Sequence, residues 1–178
     1  MDRTIAVFGA SGSKPGDAHY DEGVACGTLL AQNGFAVATG GYGGTMEAVS
    51  LGARQAGGRV IGVTAPTVFP HRSGPNSHLT DEIPAGSLID RIATLTDDSD
   101  GVIALHGSLG TAAELMVAWN LAFVARFSND TPKPVVAVGS PWRDLVPHLE
   151  TELATDAGVV DVVDSVVEAV AIMVDRLT

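Results

Sequence analysis

The sequence predicts a three-layer α/β protein: a doubly wound, mostly parallel sheet of about six strands, with helices on both faces. Three observations carry that expectation. Short apolar runs alternate with helix-length segments along the 178 residues. The runs are continuously apolar, as in strands buried on both faces. Glycine-rich turns follow three of them, at 9–16, 40–44 and 106–111.

Taken in order, Ile5 to Phe8 is the first strand and runs into Gly9-Ala10-Ser11-Gly12. A helix is expected over 18–33, stopped at Asn33-Gly34. Phe35 to Thr39 is the second strand, closed by Gly40-Gly41-Tyr42-Gly43-Gly44. A helix over 45–56 and a third strand, Val60 to Val63, come next. Residues 64–86 break the rhythm with Pro66, Pro70, Pro75 and Pro84. A connection that long is expected to be a functional or a disordered loop. Ser87-Leu88-Ile89-Asp90 then opens a helix with a capping pattern. Val102 to Leu105 is the fourth strand and leads through His106-Gly107-Ser108-Leu109-Gly110-Thr111 to a helix over 111–126. Pro134 to Val138, a helix over 142–154, Val159 to Val163 and a helix over 165–177 complete the chain. With no repeat and no linker-like stretch, residues 1–178 are expected to form one domain.

Helix 111–126 is apolar around nearly its whole circumference, with Leu115, Met116, Val117, Trp119, Leu121, Phe123 and Val124. Such a helix has to be covered on every side. Two coverings are open: neighbouring elements of the same chain, or a second copy in a homodimer.

Bulk composition narrows the function classes. Net charge is −11, and the chain has two lysines, Lys14 and Lys133. That opposes nonspecific nucleic-acid binding, which depends on cations neutralising phosphates. No apolar run approaches the ~20 residues that span a bilayer, and the first strand begins too early to leave room for a signal peptide. A single cysteine, Cys26, suits a reducing cytoplasm, the expected location. The five scattered histidines show no metal-ligand spacing, so no metal is expected.

Parallel sheets bind ligands beyond the carboxyl ends of their strands. The three glycine turns emerge there, each leading into a helix whose N-terminus favours an anion. The first lacks G-x-G-x-x-G, the second strand ends without an acid for a ribose, and no Walker sequence occurs. A phosphorylated small molecule is therefore favoured over a dinucleotide or ATP. Glu114 has two open roles: helix cap, through Thr111-Ala112-Ala113-Glu114, or site carboxylate. Arg91 falls near the end of a first helical turn, where a cation gains nothing from the dipole. Two explanations are open, a phosphate or carboxylate partner, which suits it better, and a solvated place on the surface. Lys14, Glu47, His71, Arg72 and His78 are weaker candidates, the last three as parts of a lid, while Met46, Trp119 and Trp142 read as core.

These residues together resemble the LONELY GUY (LOG) family of nucleotide phosphoribohydrolases, formerly labelled lysine decarboxylases. Val7-Phe8-Gly9-Ala10-Ser11 with Tyr20 is similar to its opening strand and loop. Gly40-Gly41-Tyr42-Gly43-Gly44-Thr45-Met46 resembles its G-G-x-x-G-L-M segment, and Gly107 to Glu114 its P-G-G-x-G-T-x-x-E. Arg91 stands 15 residues before His106, at the family spacing. His106 replaces the motif proline, Ser108 its second glycine, and Ile92 the lysine that usually follows the arginine. Met46-Glu47-Ala48 is closer to the related molybdenum-cofactor carriers.

The resemblance implies a Rossmann-like fold, no cofactor, and hydrolysis of nucleoside 5′-monophosphates such as AMP to free base and ribose 5-phosphate. It implies catalytic roles for Arg91 and Glu114. Gly9, Ala10, Ser11, Gly40, Gly41, Gly43, Gly44, His106, Gly107, Ser108, Gly110 and Thr111 would bind the nucleotide. The carrier-like features imply the alternative, a non-catalytic binding protein for a phosphorylated nucleotide or pterin.

Overall fold

The computed structural model describes residues 3–128, 130–153, 155 and 158–178. Its elements are β1 (Thr4–Phe8), α1 (Ala18–Gln32), β2 (Ala36–Thr39), α2 (Thr45–Gln55), β3 (Val60–Thr64), β4 (Asp81–Pro84), α3 (Leu88–Asp97), β5 (Gly101–Ala104), α4 (Leu109–Ala125), β6 (Val135–Val138), α5 (Ser140–Glu152), β7 (Val160–Val163) and α6 (Val166–Leu177). The strands form one sheet in the order β4-β3-β2-β1-β5-β6-β7, with every pairing parallel. This is the doubly wound Rossmann-like α/β arrangement that the alternating pattern predicts. Residue 154, the expected end of the fifth helix, lies outside the described residues.

Alternate residues of each strand feed two cores. Ile5, Val7, Val37, Ile103, Val136 and Val138 pack with Cys26 and Leu30 of α1, Val49 of α2 and Met173 of α6. Ala6, Phe8, Ala38, Val102, Ala104 and Ala137 pack with Leu95 of α3, Leu115 and Trp119 of α4, and Trp142 of α5. Burial on both faces explains the unbroken apolar runs. Helices α1 and α2 touch backbone to backbone. A Cβ on Gly27 would lie 2.0 Å from the Val49 carbonyl oxygen, and one on Gly52 2.0 Å from that of Val24.

Two expectations change. The sheet has seven strands, because β4 forms inside the stretch expected to be loop. Asp81-Glu82-Ile83-Pro84 has no apolar run to announce it, since it sits largely exposed on the sheet edge. Charge and proline are what edge strands tolerate. The remaining connection is held in place: Asn76 N–H donates to the Gly41 carbonyl, its Nδ2 to that of Tyr42, and Ala65 N–H donates to the Tyr42 hydroxyl.

Helix α4 also differs from its prediction. It starts at Leu109, two residues early, and its burial is one-sided. Glu114, Leu115, Ala118, Trp119 and Ala122 face inward, whereas Val117, Leu121 and Val124 are exposed. The described residues therefore leave the outer face of this helix uncovered.

Candidate functional site

β1 and β5 lie side by side where the strand order reverses, and the crevice beyond their carboxyl ends is where such sheets take ligands. Three loops are tied together at this point. Ala10 N–H donates to the His106 carbonyl at 3.1 Å, and Thr45 N–H to the Ala10 carbonyl at 2.8 Å. Ser13 Oγ and Thr45 Oγ1 share a 2.8 Å hydrogen bond. Between them opens a cavity of about 430 Å³, lined by Gly9, Ser11, Met46, Phe69, Arg72, Leu88, Arg91, Ile92, Ser108, Leu109, Gly110, Thr111, Ala113 and Glu114. That volume is within the usual range for small-molecule sites.

The register of α4 decides what Glu114 is. With the helix starting at Leu109, Ser108 is the N-cap residue and Glu114 lies beyond the first turn. The capping role is thereby excluded. Glu114 accepts instead from Arg91 Nη1 at 3.0 Å, and both residues are buried, 8% and 6% exposed. Arg91 is fixed at its other nitrogens. Nε donates to the Val63 carbonyl at 2.8 Å, and Nη2 lies 3.7 Å from Met46 Sδ. Ser87 caps α3 by accepting from Asp90 N–H, and this sets the helix phase that aims Arg91 inward. Burial pushes the Glu114 carboxyl upward, and the charge and hydrogen bond of Arg91 pull against it; burial prevails.

The N-terminus of α4 is open. Ser87 and Ser165 cap their helices, but the Ser108 side chain makes no such bond. The first N–H groups of an α-helix have no partner within it, so those of Leu109, Gly110 and Thr111 are free for a ligand at the cavity wall. A Cβ on Gly110 would meet nothing within 4 Å. Here backbone donors and a helix dipole favour an anion.

The other glycines have different tasks. A Cβ on Gly40 would lie 1.5 Å from Arg91 Nη2, so the guanidinium packs directly on the Gly40 backbone. Gly40→Ala is accordingly expected to displace Arg91, lowering any activity of the site by ~10²-fold in a steady-state assay and lowering the melting temperature as well, since Glu114 loses its partner. Gly9 packs against Thr45 and Gly107 against Thr111, while Gly44 meets Ala10 and Ser11. Gly41 adopts φ +76° beside Thr64, and Gly43 is exposed. Of the expected binding residues, Gly9, Ser11, Ser108, Gly110 and Thr111 line the cavity with Arg91 and Glu114. Ala10, Gly40, Gly41, Gly43, Gly44, His106 and Gly107 stand behind or beside it.

His106 turns away from the crevice. Its ring stacks on His19 at 3.9 Å between centroids, with the planes 7° apart. Lys14 is exposed at its loop tip. Met46, read as core from the sequence, is buried but reaches the cavity and Arg91. Phe69, Leu88 and Ile92 were not singled out, because lone apolar residues carry no local signal for a cavity wall.

A family model described as the SLOG cluster4 family matches residues 2–167. The chain belongs to the SLOG cluster4 family. This SLOG cluster4 chain is 32% identical over 143 residues to a cytokinin riboside 5′-monophosphate phosphoribohydrolase of Mycobacterium tuberculosis, covering 79% of this chain and 72% of that one. A probable enzyme of the same name from Oryza sativa, LOGL9, is 32% identical over 120 residues, 66% of this chain and 52% of its own. Among solved structures, the molybdenum cofactor carrier protein of Chlamydomonas reinhardtii is similar at a TM-score of 0.74 and 26% identity, over 97% of this chain and 96% of that one. The molybdenum cofactor binding protein of Rippkaea orientalis shares the fold at a TM-score of 0.79 and 23% identity, over 100% and 99% of the two chains.

Proposed function

We propose that this protein hydrolyses the N-glycosidic bond of nucleoside 5′-monophosphates, releasing free base and ribose 5-phosphate. The observation that carries the reading is the buried Arg91–Glu114 pair beside the uncapped N-terminus of α4. The 5′-phosphate rests on the N–H groups of Leu109, Gly110 and Thr111. Breaking the glycosidic bond builds positive charge on the ribose ring, which the Glu114 carboxylate stabilises while it orients and deprotonates water. Arg91 holds that carboxylate in position and opposes the burial that favours its neutral form. The sequence similarity to cytokinin riboside 5′-monophosphate phosphoribohydrolases supports the same chemistry.

Incubation with AMP, GMP, CMP and cytokinin riboside monophosphates, followed by chromatography of the free base, tests it. Base release from at least one is expected. Because burial raises the Glu114 carboxyl and the ionised form is the active one, the rate falls on the acid side at a pH above the ordinary glutamate range. A flat acid limb down to pH 4 removes Glu114 from the reaction.

A carrier for a phosphorylated pterin or nucleotide is the second reading, favoured by the 26% identity to the Chlamydomonas carrier across nearly the whole chain. Saturable binding without any base release selects it.

We also infer a homodimer through α4. Val117, Leu121 and Val124 form an exposed ridge, flanked on one side by a cavity containing Asp97, Ala125 and Lys133 and on the other by one containing Met116, Phe123 and Leu153. A ridge between two grooves matches the packing of one helix on its symmetry mate. Light scattering is expected to give twice the 18.2 kDa chain mass, and Leu121→Asp with Val124→Asp to give the monomer. A monomeric wild-type protein refutes the interface.

A further inference from the structure

Arg72 is a cation set against two aromatic rings. Its guanidinium carbon sits 4.3 Å from the Phe69 ring centroid and 4.6 Å from that of Tyr42, so two aromatic faces hold it. Among the described residues no carboxylate pairs with it. Burial and the like charge of Arg91 both weigh against its cationic form, and Arg91 has already engaged the one carboxylate of the crevice. In a chain of net charge −11, two guanidiniums facing one cavity with a single counter-charge leave room for another anion.

Arg72 also borders a second chamber of about 350 Å³, which shares Ser11 with the main cavity. Its walls come from the β1 loop, from Tyr42 and Gly43, and from His71, Ser73 and Gly74, with no Asp or Glu among them. Glu47 Oε2 would lie 3.9 Å from a Cβ on Gly43, a residue of this wall. Ser11 and Arg72 line both spaces, so a ligand anchored on the α4 N-terminus can extend past Ser11 toward Arg72.

We propose that Arg72 and this chamber hold a second phosphoryl group, so that the site accepts nucleotides carrying two. The proposal rests on the nucleotide reading above. Planar, preorganised guanidinium donors suit phosphate oxygens, and the Tyr42 and Phe69 rings hold Arg72 without competing for its N–H groups. The second phosphoryl group is either the β-phosphate of a 5′-diphosphate or a phosphate on the ribose 3′ oxygen.

Calorimetry tests this with ligand pairs that differ by one phosphoryl group: pyrophosphate against phosphate, ADP against AMP, and adenosine 3′,5′-bisphosphate against AMP. The wild-type protein is expected to bind the doubly phosphorylated member of at least one pair about tenfold tighter. Arg72→Gln should erase that ratio, and Arg72→Lys, which keeps the charge, should retain part of it. The ADP and bisphosphate arms tell the two sources apart. No preference in any pair, or the same preference in wild type and Arg72→Gln, overturns the proposal. If no nucleotide binds, the nucleotide reading fails by itself. The pyrophosphate arm still decides whether Arg72 is a second anion contact.

Discussion

Glu114→Gln is expected to lower kcat for nucleoside monophosphate hydrolysis by ~10²–10³-fold or more while the protein stays folded. The two side chains have nearly the same shape, and the pocket around position 114 is tight, with 8% of the residue exposed. A glutamine amide oxygen can still accept from Arg91 Nη1, where the carboxylate now sits at 3.0 Å. What disappears is the negative charge facing the ribose and the capacity to take a proton from water. KM should move far less than kcat, since in the proposed binding mode the phosphate rests on the α4 backbone and not on Glu114. The acid limb of the pH profile should vanish with the carboxylate. Unchanged kcat in this variant means that the pair is structural only.

Arg91→Met is expected to destabilise the protein by about 3–5 kcal/mol at neutral pH, because it strands a buried carboxylate. Methionine fills much of the arginine stem's volume beside Met46, so the loss is mainly of charge and hydrogen bonds. Val63 loses the donor to its carbonyl at the same time. The penalty depends on pH, with a definite sign. Without Arg91, burial is left unopposed, and the Glu114 carboxyl rises further above its unfolded value. A group whose folded pKa is raised contributes stability fully below its unfolded pKa and loses it as pH climbs through the folded one. The variant should therefore lie closest to wild type near pH 5 and furthest from it near pH 8. Urea unfolding at both values measures the difference. An equal deficit at the two pH values shows that Glu114 does not carry the cost.

Arg91 and Glu114 were legible in the chain as a pair only through a family resemblance. Their own neighbourhoods gave each a competing role. Thr111-Ala112-Ala113-Glu114 matches a capping box, yet Thr111 is buried inside the helix, packed on Gly107, and the cap position falls on Ser108. A two-residue shift in the start of a helix changes which side chains reach the first turn. Helix ends are set by contacts around them, and local pattern leaves them free by that margin. Ser87 shows the opposite case: its pattern and its hydrogen bond to Asp90 N–H agree.

The glycine turns were visible because Gly punctuates strand–helix junctions, but their tasks were not. Gly40 reads as one more cradle residue until the Arg91 guanidinium is found lying on it. Nothing within five residues of Gly40 says so, since its partner is 51 positions away. His106 is the reverse case, a strand-end residue beside the ligand loop whose ring leaves the crevice for His19.

The layered α/β class, the parallel direction of the strands and the edge on which the crevice opens followed from hydrophobic period and from glycine placement. Both are local properties that each strand and turn expresses whatever surrounds it. The seventh strand, the one-sided burial of α4, the Arg91–Glu114 ion pair and the setting of Arg72 against two aromatic rings did not follow. Each depends on which distant segment comes to lie alongside. β4 is a strand because β3 offers it an edge, and Glu114 is a buried carboxylate because α3 brings Arg91 to within 3.0 Å. Pairing across the sheet edge, and desolvation between two helices, exist only once the chain has closed on itself.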